Sequence, residues 1–149
     1  MKAVYIEQLG GPEVLQYGEL PDPIAGTDEV VVDIHAASVN GADWKVRAGR
    51  YANPVDTFPY ILGRDLSGVV AAVGSDVGDL KAGDPVFGVL PPGQEGTYCE
   101  KCATKAAVLA LKPDDISHID ICALSLIGLT AVISVEETLK LKSGEKILI

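Results

Sequence analysis

Glycine and proline interrupt the first 113 residues so often that only short strands fit between them. The clearest strand is residues 30–36, where apolar side chains recur at every second position while Val31, Asp33 and His35 take the other face. A period of two is what a half-buried strand requires. The pattern therefore predicts a sheet-rich sandwich or barrel, mainly β with some α.

Other segments of this region have the length and composition of strands and are bounded by turn residues. They are residues 3–6, 14–19, 68–73, 85–89, 97–103 and 107–111. Residues 43–48 are charged and short, which predicts one or two helical turns closed by Gly49.

After Pro113 the pattern changes from strand to helix. Ser117, followed three residues later by Asp120, has the form of a capping box, and the apolar residues 119–141 are long enough for one helix or for two broken near Gly128. Residues 146–149 then read as a buried strand, which is how a βαβ unit begins. The expected Gly-rich loop does not follow, so we expect a fragment with domains at 1–113 and 114–149.

Charge and composition limit the classes of partner. The formal net charge of −9 and the pI near 4.5 repel phosphate backbones and anionic lipid, and no apolar run reaches the roughly 20 residues that span a bilayer. We therefore expect neither nucleic acid nor membrane as a partner. The N-terminus lacks the apolar core of a secretory signal, and three cysteines suit reduced thiols, so a cytoplasmic location is predicted.

Several segments in this order resemble the medium-chain dehydrogenase/reductase superfamily, above all its zinc-independent, zeta-crystallin-like quinone oxidoreductase branch. They are "MKAVYIEQLGGPEVLQYGELPDP", "EVVVDIHAASVNGADWKVRAGRY", "ILGRDLSGVVAAVG", "LKAGDPVFG" and "LIGLTA" ahead of "LKSGEKILI". The resemblance implies a GroES-like β-barrel catalytic domain, followed by a Rossmann domain that binds NADPH and of which only the connecting helix and first strand are present.

The resemblance also implies that no catalytic zinc is bound. In zinc alcohol dehydrogenases the ligands are a cysteine, a histidine and a further cysteine, and the matching positions here are Asn40, Arg64 and Leu126, with Asp65 in place of a supporting glutamate. Arginine has no lone pair for a metal, and leucine offers no donor at all. Asp43 matches the carboxylate that orients the zinc-binding histidine in those relatives.

Cys99 and Cys102 pose a separate question, because two cysteines at this spacing suit a metal clip, a redox pair or two unrelated thiols. A structural zinc needs four ligands, and side chains three apart on a strand point to opposite faces. The favoured interpretation is one buried and one exposed thiol.

Without zinc, hydrogen-bond donors have to stabilise the charge that develops on a hydride acceptor. Asn40 and Tyr51 match residues that line the substrate pocket of quinone oxidoreductases, so we expect Asn40 to contact substrate or nicotinamide. The alternative for Asn40 is an Asx turn that caps the short helix. For Tyr51 the alternative is simple packing.

Arg64 and Thr130 are the other two candidates. Arg64 stands where related reductases usually have a small or neutral residue; it could form an ion pair with Asp43, which we favour, or reach an oxygen of acceptor or cofactor. Thr130 matches a threonine that contacts the nicotinamide end of the cofactor. Its alternative is a hydrogen bond back to the carbonyl four residues earlier in the helix.

Together these features predict the catalytic-domain fragment of an NADPH-dependent, zinc-independent reductase of quinones or α,β-unsaturated carbonyls. The fragment should be inactive and monomeric, and the full-length protein a homodimer. Three alternatives stay open: an enoyl-thioester reductase, a relative of the zinc-type alcohol dehydrogenases, and a non-enzymatic GroES-like binding module.

Overall fold

The computed structural model describes residues 1–51 and 55–148. Within them lie the strands β1 Lys2–Ile6, β2 Gln16–Glu19, β3 Glu29–Ala36, β4 Tyr60–Ile61, β5 Asp65–Val73, β6 Pro85–Val89, β7 Lys101–Lys105 and β8 Leu109–Leu111. The helices are α1, Asp43–Arg47, and α2, His118–Val132, which continues into a π-helical segment, Ile133–Thr138. Short 3₁₀ turns occupy Pro12–Val14 and Ala106–Val108.

The strands form two antiparallel sheets. Five of them pair in the order β7-β3-β5-β6-β8, and the other three in the order β2-β1-β4. An isolated bridge between Ala3 and Cys99 connects β1 to the segment that leads into β7. The predicted fold class, mainly β with a helix after the sheets, is confirmed.

Two apolar clusters stabilise this arrangement. The larger joins the strands of the five-stranded sheet through Val30, Val32, Leu66, Val70 and Val86. Complete burial of each such side chain contributes about 1.5–3 kcal/mol. The smaller cluster packs Ile6 of β1 against Val46 of α1 and Leu62, and so fixes α1 against the three-stranded sheet.

The alternation predicted for β3 holds only in part. Val31, expected on the polar face, is buried together with Val30 and Val32. The register shift between Val31 and Val32 does not account for this, because its extra residue, Ala71, lies on β5. Val31 therefore keeps the face opposite to Val30 and Val32, and that face of β3 is covered at this point as well.

Helix α2 begins as the sequence predicts. Ser117 is its N-cap, accepting the backbone N–H of Asp120 at 3.1 Å and donating to the Asp120 carboxylate at 2.6 Å. The first half of the helix packs against β3, β5 and β6 and buries Cys122 and Ser125. No break occurs at Gly128.

The second half of the helical segment is exposed although it is apolar. Exposed side chains include Ile127, Leu129, Val132, Ile133 and Leu139. The helical segment His118–Thr138 has 21 residues and contains an 18-residue window with a mean hydropathy of 1.9, so by length and composition alone it could cross a membrane. The helix is longer than its uninterrupted apolar run, because it continues through Asp120 at one end and Glu136 and Glu137 at the other.

One observed strand was not predicted, and one predicted strand is not formed in the described part of the chain. The two-residue β4 has no alternating pattern of its own and was not predicted; its position comes from pairing with Tyr5 and Ile6 of β1. Residues 146–148, predicted as a strand, are exposed and form no regular structure, because no neighbouring strand pairs with them within the described residues. Ile149, the last residue of that prediction, lies outside the described residues.

Candidate active site

A glycine turn places the central carboxylate of the site. Gly63 has φ of +91°, a conformation open to glycine, and a Cβ atom there would collide with Thr97 and Tyr98. The chain turns at Gly63 and enters β5 at Asp65, whose side chain is only 1% exposed. The backbone thus holds a carboxylate under the end of β3 and beside helix α2.

Asp65 accepts hydrogen bonds from three directions. Its Oδ2 accepts from the hydroxyl of Ser38 and from the amide Nδ2 of Asn40 in short contacts, and its Oδ1 accepts the backbone N–H of Leu126 at 2.8 Å. The Asn40 Nδ2 also lies 3.2 Å from the Ser38 Oγ. We call this set, Ser38, Asn40, Asp65 and the Leu126 backbone, the Asp65 network.

A second buried carboxylate lies at the first residue of α1. Asp43 is 4% exposed, and its Oδ2 accepts the Tyr98 hydroxyl at 2.6 Å and the Asn40 backbone N–H at 2.7 Å. Its Oδ1 has no partner within the described part of the chain. Burial and the bond to Asp43 raise the pKa of Tyr98 well above its usual range, so Tyr98 stays a hydrogen-bond donor.

The Asx-turn alternative for Asn40 is not what the structure shows. The cap position of α1 is Ala42, which makes no side-chain cap, and the Asn40 side chain turns to Asp65 instead. Asn40 does not cap the helix with its side chain; instead, the Asp43 carboxylate accepts the backbone N–H of Asn40. Asn40 is half-buried, so a ligand can still reach it.

The favoured ion pair between Arg64 and Asp43 is wrong. The Arg64 Nε donates to the carbonyl of Leu90 at 2.7 Å, and none of the ion pairs among residues 1–51 and 55–148 includes Arg64. Tyr98 and the Asn40 backbone already satisfy the Asp43 Oδ2, so that carboxylate is held by neutral donors instead of a guanidinium. That Arg64 contacts acceptor or cofactor stays a prediction.

Tyr51 and Thr130 both make the contacts that were their alternatives to ligand binding, which are packing for Tyr51 and a hydrogen bond within the helix for Thr130. Tyr51 is half-buried and packs against the cluster of Ile6, Val46 and Leu62. Thr130 is exposed, and its hydroxyl donates to the Leu126 carbonyl, four residues back, at 2.8 Å. The structure does not bring either side chain into the Asp65 network. Their contacts with substrate or nicotinamide stay predictions.

The three cysteines are free thiols. Cys102 is buried in the core, whereas Cys99 is half-buried and its thiol faces the carbonyls of Gly96 and Lys101. Burial raises the pKa of Cys99 to about 11 and that of Cys102 to about 12. Across the described ranges no three His, Cys, Asp or Glu side chains converge as metal ligands would.

Sequence reasoning missed a contact that holds the start of α2. His118, the first residue of α2, places its Nδ1 2.7 Å from the Ser67 hydroxyl on β5. The Ser67 hydroxyl also lies 3.0 Å from the Val86 carbonyl, so it can donate to that carbonyl while accepting from His118, or donate to the His118 ring, according to the tautomer of His118. The ring of His35 lies 4.5 Å from that of His118. The packing of α2 on the sheet brings His118 against β3 and β5, and no local sequence pattern indicates this contact.

Residues 26–146 match the family described as "Alcohol dehydrogenase GroES-like domain". Among curated proteins, the chain is 34% identical over 146 residues to human "NAD(P)H oxidoreductase RTN4IP1, mitochondrial", covering 88% of this chain and 37% of that protein. It is 33% identical over 156 residues to "NADPH-dependent alkenal/one oxidoreductase, chloroplastic" of Arabidopsis thaliana, covering 100% and 40%. The chain thus spans about two-fifths of the length of these relatives.

Two solved structures show the same fold. A quinone oxidoreductase of Pseudomonas syringae pv. Tomato superposes with a TM-score of 0.90 at 35% identity, over 97% of this chain and 43% of that one. The Escherichia coli quinone oxidoreductase complexed with NADPH gives 0.86 at 32% identity, over 93% and 41%.

The predicted cytoplasmic location is wrong by the same comparison. Relatives from human, cattle, mouse and Dictyostelium discoideum are all named as mitochondrial, and the Arabidopsis relative is named as chloroplastic. Reduced cysteines do not distinguish these compartments, which is why the cysteine argument could not decide the location.

The family match, the relatives and the folds agree with the resemblance read from the sequence. The chain belongs to the alcohol dehydrogenase GroES-like domain family, within the medium-chain dehydrogenase/reductase superfamily and beside its quinone oxidoreductases.

Proposed function

We propose that this chain is the catalytic domain of an NADPH-dependent, zinc-independent oxidoreductase that transfers hydride to quinones or α,β-unsaturated carbonyl compounds. The Asp65 network is the observation that carries the proposal. It joins, through hydrogen bonds between protein groups, two of the three positions that match the zinc ligands of alcohol dehydrogenases, Asn40 and Leu126. Relatives named for quinone and for alkenal/one reduction support the substrate class.

The residues at those positions do not fit a zinc ion. The Asn40 amide hydrogens point to Asp65 and Ser38, and Leu126 contributes a backbone N–H, which cannot bind a cation. Arg64 is a permanent cation and turns to the Leu90 carbonyl. The set of two cysteines and one histidine that binds zinc in alcohol dehydrogenases has no counterpart at these positions.

NADPH supplies the hydride when it is bound, and the protein has to orient the acceptor and stabilise the negative charge that develops on its oxygen. The donor hydrogens of the Asp65 network are all used within the network, so none is left to donate to that oxygen. We propose two other donors for this purpose. One is the phenol of Tyr51, and the other is the set of terminal N–H groups of Arg64, whose Nε alone bonds to Leu90. Asn40 and Thr130 would meet the nicotinamide end of the cofactor.

Residues 114–149 are proposed to open the nucleotide-binding domain of the whole protein. The apolar side chains of Ile127, Leu129, Val132 and Ile133 are exposed on the helical segment, and a packed domain would cover them. The relatives are more than twice as long as this chain, which supports a further domain in the whole protein. We also propose that the whole protein is a homodimer.

The test follows NADPH oxidation by the whole protein that contains this chain, with p-benzoquinone, methyl vinyl ketone and crotonyl-CoA as separate acceptors. Turnover with the quinone or the enone is expected, and NADH should serve less well. Turnover confined to crotonyl-CoA would replace the proposal with an enoyl-thioester reductase. No NADPH oxidation with any of the three would contradict it in favour of a binding module.

A further inference from the structure

We propose that Asp65 is a positioning residue that fixes the direction of the Asn40 amide, so that Asn40 presents its carbonyl oxygen to the ligand. Asn40 then accepts a hydrogen bond from the carboxamide NH₂ of the nicotinamide and does not donate to the oxygen of the quinone or enone. This inference rests on the proposed function for the identity of the cofactor, whereas the direction of the amide rests on the structure alone.

The hydrogens in the Asp65 network can be assigned one by one. An asparagine amide has two hydrogens on Nδ2 and none on Oδ1, and a carboxylate can only accept. One Asn40 hydrogen goes to the Asp65 Oδ2 and the other points to the Ser38 Oγ at 3.2 Å. Ser38 gives its own hydrogen to the Asp65 Oδ2, so its oxygen is available as the acceptor.

The opposite direction of the amide would be costly. Turning Asn40 over would bring its Oδ1 against the Oδ2 of Asp65, and because Asp65 is 1% exposed, solvent would do little to screen the repulsion between the two oxygens. Asp65 cannot turn away in compensation, because its Oδ1 is held by the Leu126 backbone N–H at 2.8 Å. Helix α2 holds Asp65 in place, and Asp65 in turn determines that the half-buried Asn40 turns its Oδ1 outward.

The chemistry of the ligand follows from this direction. No hydrogen bond within the described residues uses the Asn40 Oδ1. A group that meets this oxygen has to bring an N–H or O–H. Quinones and enones carry carbonyl oxygens without hydrogens, whereas the nicotinamide carries a carboxamide NH₂ next to the carbon that delivers hydride. The nicotinamide carboxamide is the matching partner.

The direction of the amide can be measured on this chain without any cofactor. The sequence has only two asparagines, Asn40 and Asn53, so an N40S variant identifies the Asn40 side-chain NH₂ signals in a ¹⁵N-labelled sample. We expect these hydrogens to exchange with water at least about tenfold more slowly than those of the exposed Gln8, since they are bonded to a buried carboxylate. Exchange as fast as that of Gln8 would overturn the inference.

The consequence for the ligand is tested in the whole protein by exchanging donor and acceptor. In D65N the new amide has to accept from Leu126 and direct its NH₂ at Asn40, so Asn40 turns its own NH₂ outward. The Kd for NADPH, measured by nicotinamide fluorescence, should rise about fivefold to tenfold, the loss of one hydrogen bond. The double variant N40D/D65N restores an outward-facing acceptor oxygen at unchanged net charge, and its Kd should return towards that of the wild type.

The outcomes separate this inference from the proposed function. Slow exchange of the Asn40 amide together with an NADPH Kd that is unchanged in D65N would overturn the nicotinamide assignment, even if quinone reduction is observed. A Kd that rises in D65N and stays raised in N40D/D65N would also overturn it, because a general disturbance is not rescued by exchanging the pair. The raised and rescued Kd supports the inference whichever acceptor is reduced.

Discussion

The Oδ1 of Asp65 lies 2.8 Å from the backbone nitrogen of Leu126, so a carboxylate at the start of β5 holds the middle of helix α2. In zinc-containing relatives the position of Leu126 belongs to a cysteine ligand. Here its backbone N–H, not its side chain, contributes to the site. The contact therefore joins the proposed catalytic centre to the helix that leads away from the β domain.

Replacing Asp65 should weaken the fold measurably. In D65A the Ser38 hydroxyl, the Asn40 amide and the Leu126 N–H lose a common acceptor in a buried place. We expect the free energy of unfolding to fall by about 1–3 kcal/mol. Urea unfolding followed by circular dichroism measures the change, with D79A at an exposed carboxylate as control. Equal stability of the two variants would contradict the network.

The hydroxyl group of Tyr98 should contribute to the stability of the fold. The Y98F variant keeps the ring but removes the donor that lies 2.6 Å from the buried Asp43 Oδ2. Leaving that oxygen short of a partner should lower the free energy of unfolding by about 1–3 kcal/mol. The matched control is Y17F, since Tyr17 is 71% exposed. If Y98F unfolds at the same urea concentration as Y17F, the pairing with Asp43 is not formed.

All three thiols should be slow to react in the folded chain. Burial raises the pKa of Cys99 and of Cys122 to about 11 and that of Cys102 to about 12, so little thiolate is present at mildly alkaline pH. Ellman's reagent should modify three thiols quickly in denaturant and all of them slowly without it. A single reactive thiol in denaturant would reveal a disulfide, and fast reaction of the folded chain would indicate an activated cysteine.

His118 should make stability depend on pH. Desolvation, with smaller effects of His35 and Lys112, lowers the pKa of His118 below its ordinary 6.5 in the folded chain. The unfolded chain then binds the proton first, so stability is complete above about pH 6.5 and falls as the pH drops towards the folded-state pKa.

The measurement compares the thermal midpoint of the wild type with that of H118Q from neutral to mildly acidic pH. The difference between the two should shrink as the pH falls, because only the wild type has this histidine to protonate. The control H35Q keeps the contact between His118 and Ser67 and should retain most of the pH dependence. Parallel curves for the wild type and H118Q would contradict the explanation.

The predicted fold came from local signals, and its errors arose where local signals are absent. Alternation and turn residues located β6 at its observed bounds, and the Ser117 capping box located the start of α2. β4 was missed because it has two residues and exists only through pairing with β1. Residues 146–148 were wrongly predicted as a strand for the complementary reason: an apolar sequence forms a strand only where a neighbouring strand pairs with it.

The site was predictable only in part. The resemblance selected Asn40, Tyr51, Arg64 and Thr130 as site residues, and of these the structure brings only Asn40 into hydrogen-bond contact with Asp65. It could not reveal that Tyr98, 55 residues away in sequence from Asp43, satisfies that carboxylate in place of Arg64. Partners so distant along the chain meet only through the tertiary fold, because neither residue lies in a strand.

We propose that the whole protein polarises its acceptor and orients its cofactor without zinc. The most direct measurement is the rate of NADPH-dependent quinone reduction by the whole protein before and after exhaustive dialysis against a strong zinc chelator. The account predicts the same rate in both samples. A rate that is lost on dialysis and returns when zinc is added would contradict it.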